Sequence, residues 1–386
     1  MSVTKAKTDN ITSLNAAQLT GVLPAMSGAA LTGLVQPTKS ANDPTISTNP
    51  STGVGTLWAN TTSGEMFACT DATAGENVWI NVGSGSGDVQ PSLVFQGSIA
   101  GYTVGSNAPV ATNVIDKYSY TSQANATDVG DLITTGGRQA GHKSETHGYA
   151  SGGDPAGSNI EKYSFASDGN AVDAGYDLSV AKIFGAGAST LTHGYSAGGA
   201  SLVGNSTATG DTIDKFSYSG SSNATDVGNL SLQRNRPSGH TSTTHGYIAG
   251  GTNDSESTFY NVIDKYSFSS NGDATDVGDL TTTRAPEAAG SSSTTHGFCA
   301  GGYNGGSSNV IDKFSFSSNG NATDVGDLVT GALRHAVSTS STTHSYTAGG
   351  FSSTNVIQRH AYASSGNTVD WADLTVSRFQ GCGSQI

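Results

Sequence analysis

Positive charge is scarce in this chain of 386 residues: 17 Lys and Arg stand against 30 Asp and Glu, for a formal net charge of -13. No basic cluster offers the counter-charge a phosphate backbone needs, so no nucleic acid is expected as a partner. Long apolar runs are absent, none approaching the length that spans a bilayer. The start, MSVTKAKTDNITSLNAAQ, lacks the apolar segment of a Sec signal. Three cysteines, Cys69, Cys299 and Cys382, are odd in number and far apart, which argues against a disulfide framework. Helical periodicity is missing from 93–386. What the chain has instead is 52 glycines together with abundant Ser, Thr and Asn. The hydrophobic share of 34% reaches a globular level once glycine joins the apolar class. Charged residues, at 12%, are too few for a disordered chain. Tightly turned β structure has this composition.

The phrase Thr-Thr-His-Gly-Tyr-Ile-Ala-Gly-Gly at 243–251 reads alone like an active-site loop, but it recurs. Its counterparts lie at 147–153, 193–199, 296–302 and 344–350, their histidines 46, 52, 51 and 48 residues apart, with a degenerate copy at 100–106. A period near 50 points to a propeller or a similar array. A second line follows each phrase, as in Val-Ile-Asp-Lys-Tyr-Ser-Phe at 262–268, and alternates as a strand with aromatic weight on one face. After a polar turn, often Asn-Gly, comes a third line, Asn-Ala-Thr-Asp-Val-Gly-Asp-Leu at 125–132 and 321–328. Two other copies vary it with Asn229 and Asp273. Four to six positions beyond its leucine stands a basic residue: Arg138, Lys182, Arg234, Arg284, Arg334 or Arg378. A Gly/Ser/Thr-rich line then leads into the next phrase. Four strands per period over six periods predict an all-β fold, a six-bladed β-propeller over 93–386. Its last strand is expected to complete the sheet begun by residues 95–106, which hides both edges.

The double glycines at 152–153, 198–199, 250–251, 301–302 and 349–350, with the aromatics Tyr118, Tyr163, Phe216, Tyr266 and Phe314, resemble the kelch repeat. Kelch repeats carry Trp in the third line, where this chain has Val129, Val227, Val277 and Val325 and keeps only Trp371. The resemblance implies a six-bladed kelch-like propeller and says little of function. A residue repeated in every unit reads as structural, so the phrase histidine is expected to bond within or between sheets.

Residues 1–90 do not follow this pattern. A shorter echo, Ala-Gln-Leu-Thr-Gly at 17–21 and Ala-Leu-Thr-Gly at 30–33, has too few hydrophobes for a core from one chain, which suggests several chains sharing it. Residues 49–83 read as a compact β unit with strands near 57–60, 65–69 and 78–82. The expected organisation is an anchoring and oligomerising segment over 1–44, a small β connector over 45–83, a Gly/Ser linker over 84–92 and the propeller over 93–386. The echo and the connector resemble the stem modules of tailed-bacteriophage fibres, especially marine and cyanophage types. That resemblance implies a virion protein made in the host cytoplasm, a homotrimer joined through its N-terminus to other tail or structural proteins, with the propeller as head.

Loops after the double glycines vary in length between repeats and are expected on the face that also carries the segments around the basic residues. Variable loops on a rigid scaffold suit recognition. Asp254, Glu256, Phe259, Tyr260, Tyr303 and Asn304 offer carboxylates, aromatics and an amide, a mix that stacks on and hydrogen-bonds sugars. The expected function is attachment to a host-surface glycan or protein without catalysis, with no cofactor and no metal. Ordinary turn chemistry is expected at Asp128-Val-Gly-Asp131, whose spacing is not that of a calcium loop. The alternatives are a capsid or neck fibre without a dedicated receptor and a glycan-active propeller enzyme.

Overall fold

A computed structural model describes residues 36–83 and 95–386, apart from 108, 156, 202–209, 288, 332 and 352–353. Most of the expected anchoring segment and the whole expected linker lie outside the described residues. The chain divides into two compact units, 1–91 and 92–386, and no described residue is helical.

In the first unit, Thr38–Ser40 pairs in parallel with Leu57–Asn60, which continues antiparallel through Met66–Asp71 to Val78–Asn81. The sheet therefore starts ahead of the expected boundary at 45. Phe67, Cys69 and Trp79 are buried under it, and Trp58 meets Trp79 edge to face at 5.8 Å.

Among the described residues the second unit holds six four-stranded antiparallel sheets in a β-propeller-like arrangement, together with a two-stranded pairing of Lys182–Ile183 with Ala200–Ser201. The first sheet runs from the C-terminal strand Cys382–Gln385 through Ala100–Ser106 and Thr112–Ser119 to Thr127–Asp131. The second runs from Ala140–Lys143 through His147–Ser151 and Asn159–Ser164 to Val172–Asp177. The third to sixth repeat this order from the inner strands Ala186–Ser189, Ser238–Thr241, Gly290–Ser292 and Val337–Ser340. Each inner strand contacts the next, and Cys382–Gln385 touches both Val337–Ser340 and Ala140–Lys143, so the cycle closes. Closure rests on the pairing of Cys382 with Val104 and of Gln385 with Gly101, as the sequence led one to expect. The inner strands surround a cavity of only about 40 Å³.

Close approach explains the glycine of the phrase. A Cβ on Gly148, Gly194, Gly246 or Gly297 would collide with the third-strand ring of Tyr163, Phe216, Tyr266 or Phe314. In the sixth sheet the glycine becomes Ser345, and the residue opposite shrinks to His360. The first glycine of each pair has φ near +65 to +70° and lies against the carbonyl of Lys182, Arg234, Arg284, Leu333 or Arg378. That contact ties the loop after the second strand to the segment entering the inner strand, so both lie on one face.

Four of those entering segments carry a buried cation. Arg378 pairs with Asp116 at 2.5 Å, Arg234 with Asp264 at 2.6 Å, Arg284 with Asp312 at 2.9 Å and Lys182 with Asp214 at 3.1 Å. Arg234 also donates to the carbonyls of Gly250, Val262 and Ile248, so both terminal nitrogens of its guanidinium are hydrogen-bonded, which offsets the cost of burying the charge. Arg138 and Arg334 do not belong to this set. The equivalent positions are Gly136 and Leu333, and in the sixth sheet Gln358 stands where the carboxylate would be.

The third line clasps neighbouring outer edges. The side-chain oxygen of Asn170 accepts from the backbone N–H of Asp131, Asn223 from Asp177, Asn321 from Asp279, Asn367 from Asp327 and Asn125 from Asp373. The two sequence variants meet at the remaining clasp: Asp273 accepts from both the backbone and the side chain of Asn229. Asn229→Asp would set two carboxylates against each other there. It is expected to cost about 0.5–1 kcal/mol at this exposed site, read from urea unfolding, and Asp273→Asn in the same chain should restore the loss.

The phrase histidines bond locally, each ring Nδ1 to the hydroxyl of the preceding threonine at 2.8 Å. Bonding between sheets falls to two others. His142 reaches the carbonyl of Ala188 at 3.3 Å and Ser151 Oγ at 2.8 Å, while His240 reaches the carbonyl of Ser291 and Ser238 Oγ, both at 3.0 Å. Burial pushes both imidazoles down to about 4. The unfolded chain takes up these protons near pH 6.5 and the folded chain refuses them until about 4. Stability is therefore full above pH 6.5 and falls as pH drops through that window, by about 1.4 kcal/mol per pH unit for each histidine. Unfolding midpoints at pH 7 and pH 5 should differ steeply, and His142→Gln with His240→Gln should flatten the slope.

Candidate functional site

Just ahead of each inner strand the backbone turns left-handed. Arg138, Phe184, Arg236, Glu287, His335 and Gln380 occupy this position with φ between 56° and 69°. A side chain there costs conformational energy that glycine would avoid, yet none of the six is glycine and no two neighbours are alike. A belt of backbone bonds holds them. Phe184 donates to Arg138, Arg236 to Phe184, Glu287 to Arg236, Gln380 to His335 and Arg138 to Gln380, at 2.5–3.0 Å.

The six side chains meet as one cluster. The Arg236 and Arg138 guanidinium groups lie 3.8 and 4.8 Å from the centre of the Phe184 ring. Arg138 donates to Gln380 Oε1 and to Asp154, each at 3.2 Å. Arg236 pairs with Glu256 at 2.7 Å and lies 3.6 Å from Glu287. The Glu287 carboxylate touches His335 Nδ1. Burial and then the Arg236 and Arg138 charges push the His335 imidazole well below its ordinary value. Arg236 Nη1 lies 3.4 Å from His335 Nδ1 and can only donate, so a neutral ring that accepts on Nδ1 fits this surrounding; the tautomer follows from that contact. With every charge opposed, the cluster presents fixed donors and acceptors instead of a net field.

Three of the residues singled out from the sequence join this network. Glu256 does so through Arg236 and is itself left-handed, at φ 53°. Phe259 meets Tyr303 edge to face at 5.6 Å. From Tyr303 an aromatic band continues inward: Arg334 lies 4.7 Å from its ring and 3.7 Å from that of Phe351, Phe351 meets Phe379, and Phe379 stacks on His335. Asp254 stands one step out, accepting from Asn235 at 3.3 Å. Tyr260 and Asn304 are not brought to the cluster; Tyr260 serves through its backbone, bonded to Gly251 and Arg284. Sequence reasoning missed Phe184, Arg236, Glu287, His335 and Gln380, and counted Arg138 as scaffold. A signal was present, since the residue two places after the cation changes from Phe184 to Arg236 to Gln380 while Lys182, Arg234 and Arg378 keep their charge.

Among the described residues no three His, Cys, Asp or Glu side chains gather as a metal site. Asp128 accepts from the backbone N–H of Gly130 at 3.1 Å, and Asp226, Asp276 and Asp324 repeat the contact, which is the turn chemistry expected.

No family model matches the chain, and no curated protein matches it. Among solved structures it is similar to that of YjhT, with a TM-score of 0.51 and 12% identity, over 64% of this chain and 86% of the other. At that identity the likeness concerns the fold alone, and it agrees with a β-propeller-like, all-β chain.

Proposed function

We propose that the second unit is a six-bladed, kelch-like β-propeller that attaches to a host surface through the face carrying the cluster. In this reading residues 1–83 are the stem and connector of a trimeric tailed-phage fibre, joined to other virion proteins, and the head works by binding without catalysis. The observation that carries it is the set of six left-handed positions, alike in backbone and carrying five different side chains with no two neighbours the same. A scaffold needs no such variety, whereas recognition of an irregular ligand does. The guanidinium–carboxylate pairs suit sugar hydroxyls, and the aromatic band supplies stacking faces. A capsid or neck fibre would share this chemistry and differ only in its place on the particle.

One observation favours a second reading, a glycan-active enzyme: Glu287 and His335 touch in a partly shielded site, as an acid–base pair must. Both readings meet in one experiment. Full-length protein is screened against bacterial surface polysaccharides, and any ligand is sized before and after incubation. Attachment predicts binding with unchanged chain length, weakened at least about tenfold by Tyr303→Ala, and by Arg236→Ala at a temperature where circular dichroism shows that variant fully folded. Depolymerisation that Glu287→Gln abolishes would establish the enzyme instead.

A further inference from the structure

On the side away from the cluster the repeat is kept, not varied, and it keeps a cation beside an imidazole. In five sheets the second strand starts with the phrase histidine and has an aromatic residue two places on. Directly opposite that ring, on the third strand, stands a cation. Tyr149 faces Lys162, Tyr195 faces Lys215, Tyr247 faces Lys265, Phe298 faces Lys313 and Tyr346 faces Arg359. Residues two apart on a strand share a face, so each histidine is the diagonal neighbour of its cation. Burial and then that nearby charge lower each of the five imidazoles.

Such pairs call for an anion. Among the described residues no carboxylate lies within ion-pair distance of Lys162, Lys215, Lys265, Lys313 or Arg359, whereas the sixth equivalent, Lys117, pairs with Asp168 at 2.9 Å. Asp168 belongs to the third-to-outer hairpin of the neighbouring sheet. Its counterparts in the other hairpins are uncharged: Gln123, Ser221, Asn271, Asn319 and Ser365. The one groove that has its own carboxylate is also the one without the histidine, since Ala100 takes its place. In the five grooves with a histidine no carboxylate of the chain pairs with the cation as Asp168 does with Lys117, although Glu145 lies on the wall of the groove of His147 and Lys162.

Two of these grooves are open cavities of about 330 and 600 Å³, in the size range of small-ligand sites. His147 and Lys162 line one together with Glu145, Thr192 and Tyr218. His193 and Lys215 line the next, with Thr244 and Ser269 across the gap. His344 and Arg359 line a smaller cavity of about 270 Å³ walled by the sixth sheet alone. Cation, imidazole, hydroxyls and a ring face in one groove suit a sugar that bears an oxyanion.

We propose that the five grooves each bind an oxyanion group of an acidic polysaccharide, a uronate carboxylate or a sulfate ester, where the Asp168 carboxylate sits in the sixth. The sites are independent of the cluster on the opposite face and of the virion reading, and their number makes binding multivalent.

The test titrates full-length protein by calorimetry with three probes: glucuronate, glucose 6-sulfate and neutral glucose. About five glucuronate or sulfate molecules should bind per chain, and glucose none; which acid binds identifies the oxyanion. Asn271→Asp places a carboxylate opposite Lys215 without removing any ligand-binding group, and should lower the stoichiometry by one. Asp168→Asn should add one weaker site at Lys117. Arg236→Ala should leave all of this unchanged, which keeps the outcome separate from that of the attachment reading. No binding of either acid, equal binding of glucose, or a stoichiometry unmoved by Asn271→Asp would overturn the proposal.

Discussion

Every sheet of the second unit depends on the short link that carries the chain from one outer strand to the next inner strand, and a buried ion pair fixes most of those links. In the link at Arg378 the guanidinium crosses under the first glycine of the pair, takes carbonyls from the second and third strands, and ends on Asp116. Removing one partner of such a pair leaves a charge in the interior and typically costs about 3–5 kcal/mol. Removing both is tolerated, which fits the sixth sheet, where Leu333 and Gln358 are both uncharged. In the second sheet Glu161 keeps its carboxylate without the cation and satisfies it with the backbone N–H groups of Ile133 and Thr134. The variation between repeats thus obeys one rule, that buried charge is paired, hydrogen-bonded or absent.

Around this clamp the repeat divides its labour. Glycines under rings, glycines over link carbonyls and the outer Asn clasps recur because each solves a contact that all six sheets share. The left-handed position sits beside the clamp and inherits its rigidity, so its side chain is free to differ. Recognition is best built where the backbone is most firmly held. That ordering separates the cluster, which changes from sheet to sheet, from the His–Lys grooves, which do not. Under the two proposals, one face would meet an irregular ligand and the other a repeating one.

Much of this was legible in the sequence. The four lines of the repeat, the pairing of the last strand with Ala100–Ser106 and the common face of the double-glycine loops and the links all follow from period and alternation. Asn229 and Asp273 could be seen as variants, but their meeting could not, because they lie 44 residues apart. Arg138 and Arg334 were misread because spacing from a leucine does not register a link whose length changes; the carbonyl over the first glycine does. The phrase histidine bonds within its own sheet, to the preceding threonine, one of the two arrangements that its repetition suggested. Glu256, Phe259 and Tyr303 were found because they follow the double glycines in segments that vary in length between repeats, although Tyr303 ends the strand His296–Tyr303. Phe184, Glu287 and His335 were not, since they occupy short links that look like scaffold.

The central claim is that the terminal strand and the buried clamps close the six sheets into one cycle. Hydrogen–deuterium exchange of the full chain tests it most directly. If the cycle is closed, the amides of Gly383–Gln385 and Gly101–Val104 exchange as slowly as those of Gly246–Ala249 in an interior sheet. Rapid exchange of Gly383–Gln385 while Gly246–Ala249 stays protected would mean that the ring is open at its seam, and the account would be wrong.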